Sequence, residues 1–124
     1  MKPYQYVVLR CVPRVEREEF VNVGVVLYCQ AREFLDVGWH VDRARLGALD
    51  PGLDIDAVCD AMDFVEAVCR ADETAGSVAQ QDRGTRFGFL RAPRSTVVQP
   101  GPVHGGVTAD PDAELEHLVT QLVR

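Results

Sequence analysis

Three stretches of this chain carry residue types that could do chemistry. The first is Arg17-Glu18-Glu19-Phe20-Val21-Asn22-Val23-Gly24-Val25. Asn is disfavoured inside strands and Gly more so, yet both occur here in a strand-like run. By alternation they share one face, two residues apart. A glycine at such a position lets a ligand or another backbone approach closely, or marks a bulge. Asn22 offers a donor and an acceptor that can read an amide or a neighbouring strand. Arg10 falls on the same face by parity and is a candidate cross-strand neighbour. The competing role is a structural lock, in which Asn22 ties a loop and Arg17 pairs with a glutamate. Buried Asn and Gly serve packing more often than chemistry, which favours the lock.

The second stretch, Arg91-Ala92-Pro93-Arg94-Ser95-Thr96-Val97-Val98-Gln99-Pro100, leads arginine and proline into a short apolar run. Arg94 with Ser95 and Thr96 suits a phosphate or carboxylate, because a guanidinium fork matches such oxyanions. The alternative is an ion pair between these arginines and the acidic segment upstream. The third, Val103-His104-Gly105-Gly106-Val107-Thr108-Ala109-Asp110, sets His104 in a Gly/Pro loop ahead of a helix start. Helix N-termini attract anions through free N–H groups, and successive glycines can form an anion-binding nest. A histidine there fits a general base or an anion contact. A lone loop histidine is more often structural, holding its loop by hydrogen bonds to backbone.

Other chemistries find little footing. Cys11, Cys29, His40 and His104 lack metal-ligand spacing, so no metal or cofactor is expected. Ser77 and Ser95 are the only serines, and neither sits in a nucleophile elbow. No dinucleotide-binding or P-loop glycine motif occurs.

The elements that must position these residues follow from periodicity. Tyr4 to Val12, Glu19 to Cys29 and Glu33 to Val41 read as three strands close in sequence, which predicts an antiparallel meander. Alternation puts Val21, Val23, Val25, Leu27 and Cys29 on one face with Val7, Leu9, Cys11, Leu35, Val37 and Trp39. The opposite face collects Tyr6, Val8, Arg10, Phe20, Asn22, Gly24, Val26, Tyr28, Asp36, Gly38 and His40. Asp42 to Leu49 is a candidate short helix. Asp54 caps a helix to about Ala71 with Ile55, Val58, Met62, Val65 and Cys69 on its apolar stripe, expected to lie on the apolar sheet face. Residues 73–84 read as a loop, 85–91 as either strand or helix, 95–99 as a short strand and 100–106 as irregular. Asp110-Pro111 starts a closing helix whose stripe is Leu115, Leu118, Val119 and Leu122. The whole predicts a single α+β domain over residues 1–124, an antiparallel sheet packed by an amphipathic helix and a C-terminal helix.

Composition bounds the function. The chain has 124 residues, 47% apolar and 26% charged, with a net charge of −6. Those values fit one globular core and argue against a nucleic-acid coat. The acidity is local: residues 50–73 hold eight acids against Arg70 alone, whereas 83–94 hold four arginines and no acid. Binding of nucleic acid through those arginines is the weakest reading. No apolar run approaches the ~20 residues that span a bilayer, and no leader pattern is visible. The four cysteines form no C-x-x-C pair, so free buried thiols in a cytoplasmic protein are expected.

Two stretches taken together, YVVLRCVPRVEREEFVNVGVVLYC and FGFLRAPRSTVVQPGPVHGGVTADPDAELEHLV, resemble the uncharacterised bacterial domain-of-unknown-function family 3037. The pattern is Arg-x-Val-Pro, then Arg-x-Glu-Phe-Val-Asn-x-Gly-Val, then Arg-Ser-x-x-x-Gln followed by His and an Asp-Pro helix start. Arg10, Pro13, Arg17, Glu19, Asn22, Gly24, Arg94, Ser95, Gln99, His104 and Asp110 stand at matching positions. Cys11 departs from it, an aromatic being more usual there, which touches only local packing. The family carries no assigned activity. The resemblance implies a small cytoplasmic protein, and an association with HipA-like kinases that would make such a kinase its partner.

Two functions follow as expectations. The first is a non-enzymatic interaction or accessory module, with the acidic helix face available to a basic partner. The second is a small-molecule or phosphate-ester binder or enzyme, its site drawn from Arg10, Arg17, Glu19, Asn22, Gly24, Arg94, Ser95, Gln99 and His104. The second requires the polar residues of both halves to converge at one end of the sheet. Oligomeric state is open, with the strand at 95–99 a candidate for pairing across a two-fold axis.

Overall fold

The structure, a computed structural model, describes every residue except Ser95. Three strands, β1 (Lys2–Cys11), β2 (Val21–Cys29) and β3 (Phe34–Trp39), form the expected antiparallel meander. Short 3-10 turns at Val15–Arg17 and Gln30–Arg32 join them, each ending on a glutamate with a left-handed backbone, Glu18 and Glu33. There follow α1 (Arg43–Leu49), α2 (Ile55–Cys69), a 3-10 segment Glu73–Gln80, α3 (Arg83–Arg91), β4 (Val98–Pro100), β5 (His104–Thr108) and α4 (Pro111–Leu122). The fold is α+β.

The sheet order is β3-β2-β1-β4, with β5 also paired to β1. β4 and β5 are successive segments of one broken edge. Cys11 to Leu9 face Val98 to Pro100, and Tyr6 to Lys2 face His104 to Thr108. Between them the Gly101 N–H donates to the Val8 carbonyl at 2.8 Å. The reading of 100–106 as irregular is therefore corrected: His104 onward is strand. Gly and Pro lower intrinsic strand preference, but the free backbone groups along β1 need partners, and this segment supplies them. The strand expected at 95–99 begins only at Val98, and Ser95 lies outside the described residues.

A bulge in β2 breaks the expected alternation. Leu9 faces Gly24 and Arg10 faces Asn22, which leaves Val23 as the extra residue. Val21 and Val23 pack on the side of α2 and α3, and after the bulge Val26 and Tyr28 take over that side. Val25, Leu27 and Cys29 face α4 instead. The expected single face for Val21, Val23, Val25, Leu27 and Cys29 is thus split in two, because one inserted residue inverts the parity of everything beyond it. The run VNVGVV is apolar enough to be buried on both sides, and helices cover both.

The helices begin where an aspartate can accept from the first turn. Asp42 takes the Arg45 N–H, Asp54 that of Ala57, Asp82 that of Thr85 and Asp110 that of Ala113. α2 buries Val58, Met62, Val65, Val68 and Cys69 on one sheet face, joined by Leu46 of α1 and by Phe87 and Leu90 of α3. α4 lays Leu115 and Val119 on the other, over β2 and β3. Two glycines seat these helices. A Cβ at Gly24 would come within 2.7 Å of the Met62 methyl, and one at Gly38 within 2.6 Å of a Val119 methyl.

The ambiguous segment at 85–91 is helical, and Arg86 explains why α3 docks as it does. Arg86 is buried and donates to the carbonyls of Val68 (2.8 Å), Cys69 (2.7 Å) and Gln81 (3.0 Å). Those first two are carbonyls in the last turn of α2, the Val68 one also accepting a long bond from the Ala71 N–H, and the helix dipole there favours a cation. The ion pair expected between Arg91 or Arg94 and the acidic helix is not among the described ion pairs; Arg86 instead reaches main-chain oxygens of α2. The acids of α2 in described ion pairs meet other arginines, Asp56 with Arg43 of α1 and Glu66 with Arg70 at the C-terminal cap of α2 itself.

Candidate functional site

Arg10, next to last in β1, has Asn22 beside it on β2 and Gln99 on β4. These three candidates do come together, on the face that carries α4. Asn22 Nδ2 donates to the Leu122 carbonyl in the last turn of α4 at 3.0 Å. Gln99 Nε2 donates to the Thr96 carbonyl at 2.9 Å. The Arg10 guanidinium lies 4.1 Å from the centre of the Phe20 ring and crowds Gly101, whose lack of a side chain leaves room for it. Its Nε is buried without an acceptor among the described residues. Asn22 therefore acts as the lock between strand and helix.

Arg17 and Glu19 satisfy each other, Nε to Oε1 at 2.5 Å, with both side chains about half exposed. An exposed pair of this kind is worth ~0–1 kcal/mol. Gly24 leaves the group entirely. The bulge turns it to the other face, beneath Met62, so the shared face expected for Asn22 and Gly24 is corrected.

His104 is also relocated. It opens β5 opposite Tyr6 and lies against the Tyr6 ring, centroids 5.2 Å apart. Tyr6 in turn stacks on Tyr4 at 6.1 Å. β5 separates His104 from the start of α4, so the anion-binding role at a helix N-terminus does not hold for it. Burial, and then the Glu114 carboxylate on α4, push the Tyr4 hydroxyl above its ordinary pKa. α4 covers β2 and β3, and the half of this face over β1 and β5 stays partly open.

Arg94 belongs to the opposite face. It donates to the Phe89 carbonyl and lies over the Phe89 ring, 4.6 Å from its centre. With Leu9, Val65, Leu90 and Val98 it lines a cleft between α2, α3 and β4. Leu9 and Arg10 are adjacent on β1 and point to opposite sides of the sheet. For that reason Asn22 and His104 share a face while Arg94 does not, and the three line no common pocket. The convergence required for a composite site is not what the fold provides. Ser95 lies outside the described residues.

Sequence reasoning missed several contributors. Tyr4 and Tyr6 alternate on one strand face, a spacing that could have singled them out together. Phe64 and Phe89, edge to face at 6.2 Å, meet only once α3 is known to be a helix. Among the described residues, no group of three or more His, Cys, Asp or Glu is placed to hold a metal ion. All four cysteines are free, and burial pushes Cys11 up to about 11 and Cys69 higher still, so both are protonated and unreactive near neutrality. No helix among the described residues is long and apolar enough to cross a membrane.

No curated protein and no solved structure matches the chain. One family does, over residues 6–123, and its description is Protein of unknown function (DUF3037). The match spans the strands, both helix layers and every candidate residue discussed above, and the chain belongs to that family.

Proposed function

We propose that this chain is a non-enzymatic interaction module that receives an extended segment of a protein partner along β5. The observation that carries this reading is the open edge. Among the described residues β5 pairs with β1 on one side only, and its residues His104–Thr108 include no lysine, no acid and no proline. Natural sheets usually protect an edge with such residues, because unpaired N–H and C=O groups invite another strand. Val107 is 56% exposed on this edge, and the Tyr4–Tyr6–His104 stack flanks it. Main-chain hydrogen bonds would supply affinity, and the aromatic stack would read alternate side chains.

The partner proposed is the HipA-like kinase that the family resemblance implies. The exposed acids of α2 would steer a basic partner toward the chain. A bacterial cytoplasm is the proposed setting, supported by four free thiols of which three are buried. The test is a titration of the chain with a co-expressed HipA-like kinase, read by calorimetry and by amide exchange. Binding should slow exchange in residues 104–108. Val107→Lys, at an exposed position, should leave the fold intact and weaken the complex about tenfold or more, since edge lysines oppose strand addition. Absence of a complex, or protection confined to α2, overturns the reading.

A further inference from the structure

We infer that the cleft between α2, α3 and β4 binds a small monocarboxylate with an apolar body. It lies on the sheet face opposite the Tyr4–Tyr6–His104 stack and does not rest on the β5 reading.

The cleft encloses about 230 Å³. Its walls are aliphatic: Leu9 and Val98 from the sheet, Ala61 and Val65 from α2, Leu90 from α3. An apolar cavity of ~150 Å³ is enough to hold benzene, so this one accommodates an aromatic ring or short alkyl chain together with an acid arm. Phe64 at the mouth is 39% exposed and Phe89 37%, both large for surface aromatics that share one contact.

Among the described residues, one charged group lines this cleft, and it is Arg94. Stacking on Phe89 holds the guanidinium plane in place, and one N–H is used on the Phe89 carbonyl. No ion pair among the described residues includes Arg94, and its remaining N–H groups have no carboxylate partner there. A planar guanidinium beside an apolar hollow matches a carboxylate on an apolar body, charge to charge and surface to surface. The other polar side chain among the described lining residues, Thr96, already donates to the Val98 carbonyl at 2.7 Å. Asp60 and Asp63 are exposed on α2 next to Ala61 and Phe64 in sequence. Their charge disfavours a dianion such as a phosphate monoester, which selects the monoanionic acid.

The test uses the intact chain and two-dimensional amide spectra. The probes are 3-phenylpropionate, hexanoate, the neutral 3-phenylpropionamide and phenyl phosphate. Both acids should shift the amides of Phe64, Val65, Leu90 and Val98 in a saturable way. The neutral amide should bind about tenfold more weakly or worse, the order expected for losing a charge-assisted hydrogen bond. Arg94→Gln should weaken the acids by a similar factor without moving the melting temperature, and Ala61→Leu should abolish binding by filling the wall. No saturable shift at these amides with either acid at millimolar concentration overturns the inference. Equal affinity for acid and amide, or an Arg94→Gln variant that binds as before, does so too. Tighter binding of phenyl phosphate than of 3-phenylpropionate would overturn the choice of a carboxylate.

Discussion

Arg86 is the residue whose replacement tests the architecture most directly. Arg86→Met keeps an apolar stem of similar length and removes the guanidinium. The buried Cys69 carbonyl at the end of α2 then loses its Arg86 donor, the Val68 carbonyl keeps only a long bond of 3.3 Å from the Ala71 N–H, and the part-buried Gln81 carbonyl loses its bond from Nε. Leaving a buried polar group unsatisfied costs ~1–3 kcal/mol. A cation at a partly buried helix C-terminus contributes up to ~2 kcal/mol. These contributions overlap, and a total loss of ~3–5 kcal/mol is expected, a large part of the ~5–15 kcal/mol that holds a domain together. The assay is urea unfolding followed by far-ultraviolet circular dichroism. The midpoint should fall with little change in slope, since the surface exposed on unfolding is nearly the same. Arg86→Lys should recover part of the loss, because an ammonium can reach some of these oxygens but lacks the planar fork. A loss under ~1 kcal/mol for Arg86→Met would refute the argument, since it would mean water replaces the guanidinium at no cost. The same variant should loosen the acid-binding cleft, whose walls are α2 and α3.

Further outcomes follow from the two faces of the sheet and from one cap. Gly38→Ala should cost ~1–3 kcal/mol by overpacking against the stiff side chain of Val119, and Gly24→Ala a similar amount, because beside the Met62 methyl its Cβ would press on the Trp39 Cβ at 3.1 Å and the Gly38 carbonyl at 3.2 Å; thermal unfolding of both variants measures them. The Thr85 backbone N–H, and then its hydroxyl, hold the Asp82 carboxyl below its ordinary value of 3.8. A group depressed in the folded state stabilises above its unfolded pKa and loses that contribution as pH falls through the folded one. Unfolding midpoints should therefore drop on acidification below that ordinary value, and Asp82→Asn should flatten this part of the profile.

Much of the scaffold is legible in the chain itself. Three apolar runs separated by short polar turns specify a meander, and aspartates before periodic apolar stripes specify α1, α2 and α4, because capping and amphipathicity are local properties. The Gly/Pro-rich segment at 100–106 misleads for the opposite reason: its strand is imposed by the open edge of β1, a non-local demand. The same holds for α3, where TRFGFLR is neutral between helix and strand until Arg86 finds the end of α2.

The candidate site divides along the same line. Arg10 and Asn22 can be paired from strand alternation, and they are cross-strand neighbours; that Gln99 stands on the other side of Arg10 depends on β4 pairing with β1, which alternation does not give. What alternation cannot place is anything beyond an inserted residue. The bulge at Val23 depends on how β2 pairs with β1, and it sends Gly24 to one helix layer while Asn22 anchors the other. Arg94 and His104 are ten residues apart in sequence and on opposite faces of the sheet, because the chain rounds the β1 edge between them. Local chemistry determined which elements form; cross-strand pairing and the two helix layers decided which side chains share a surface.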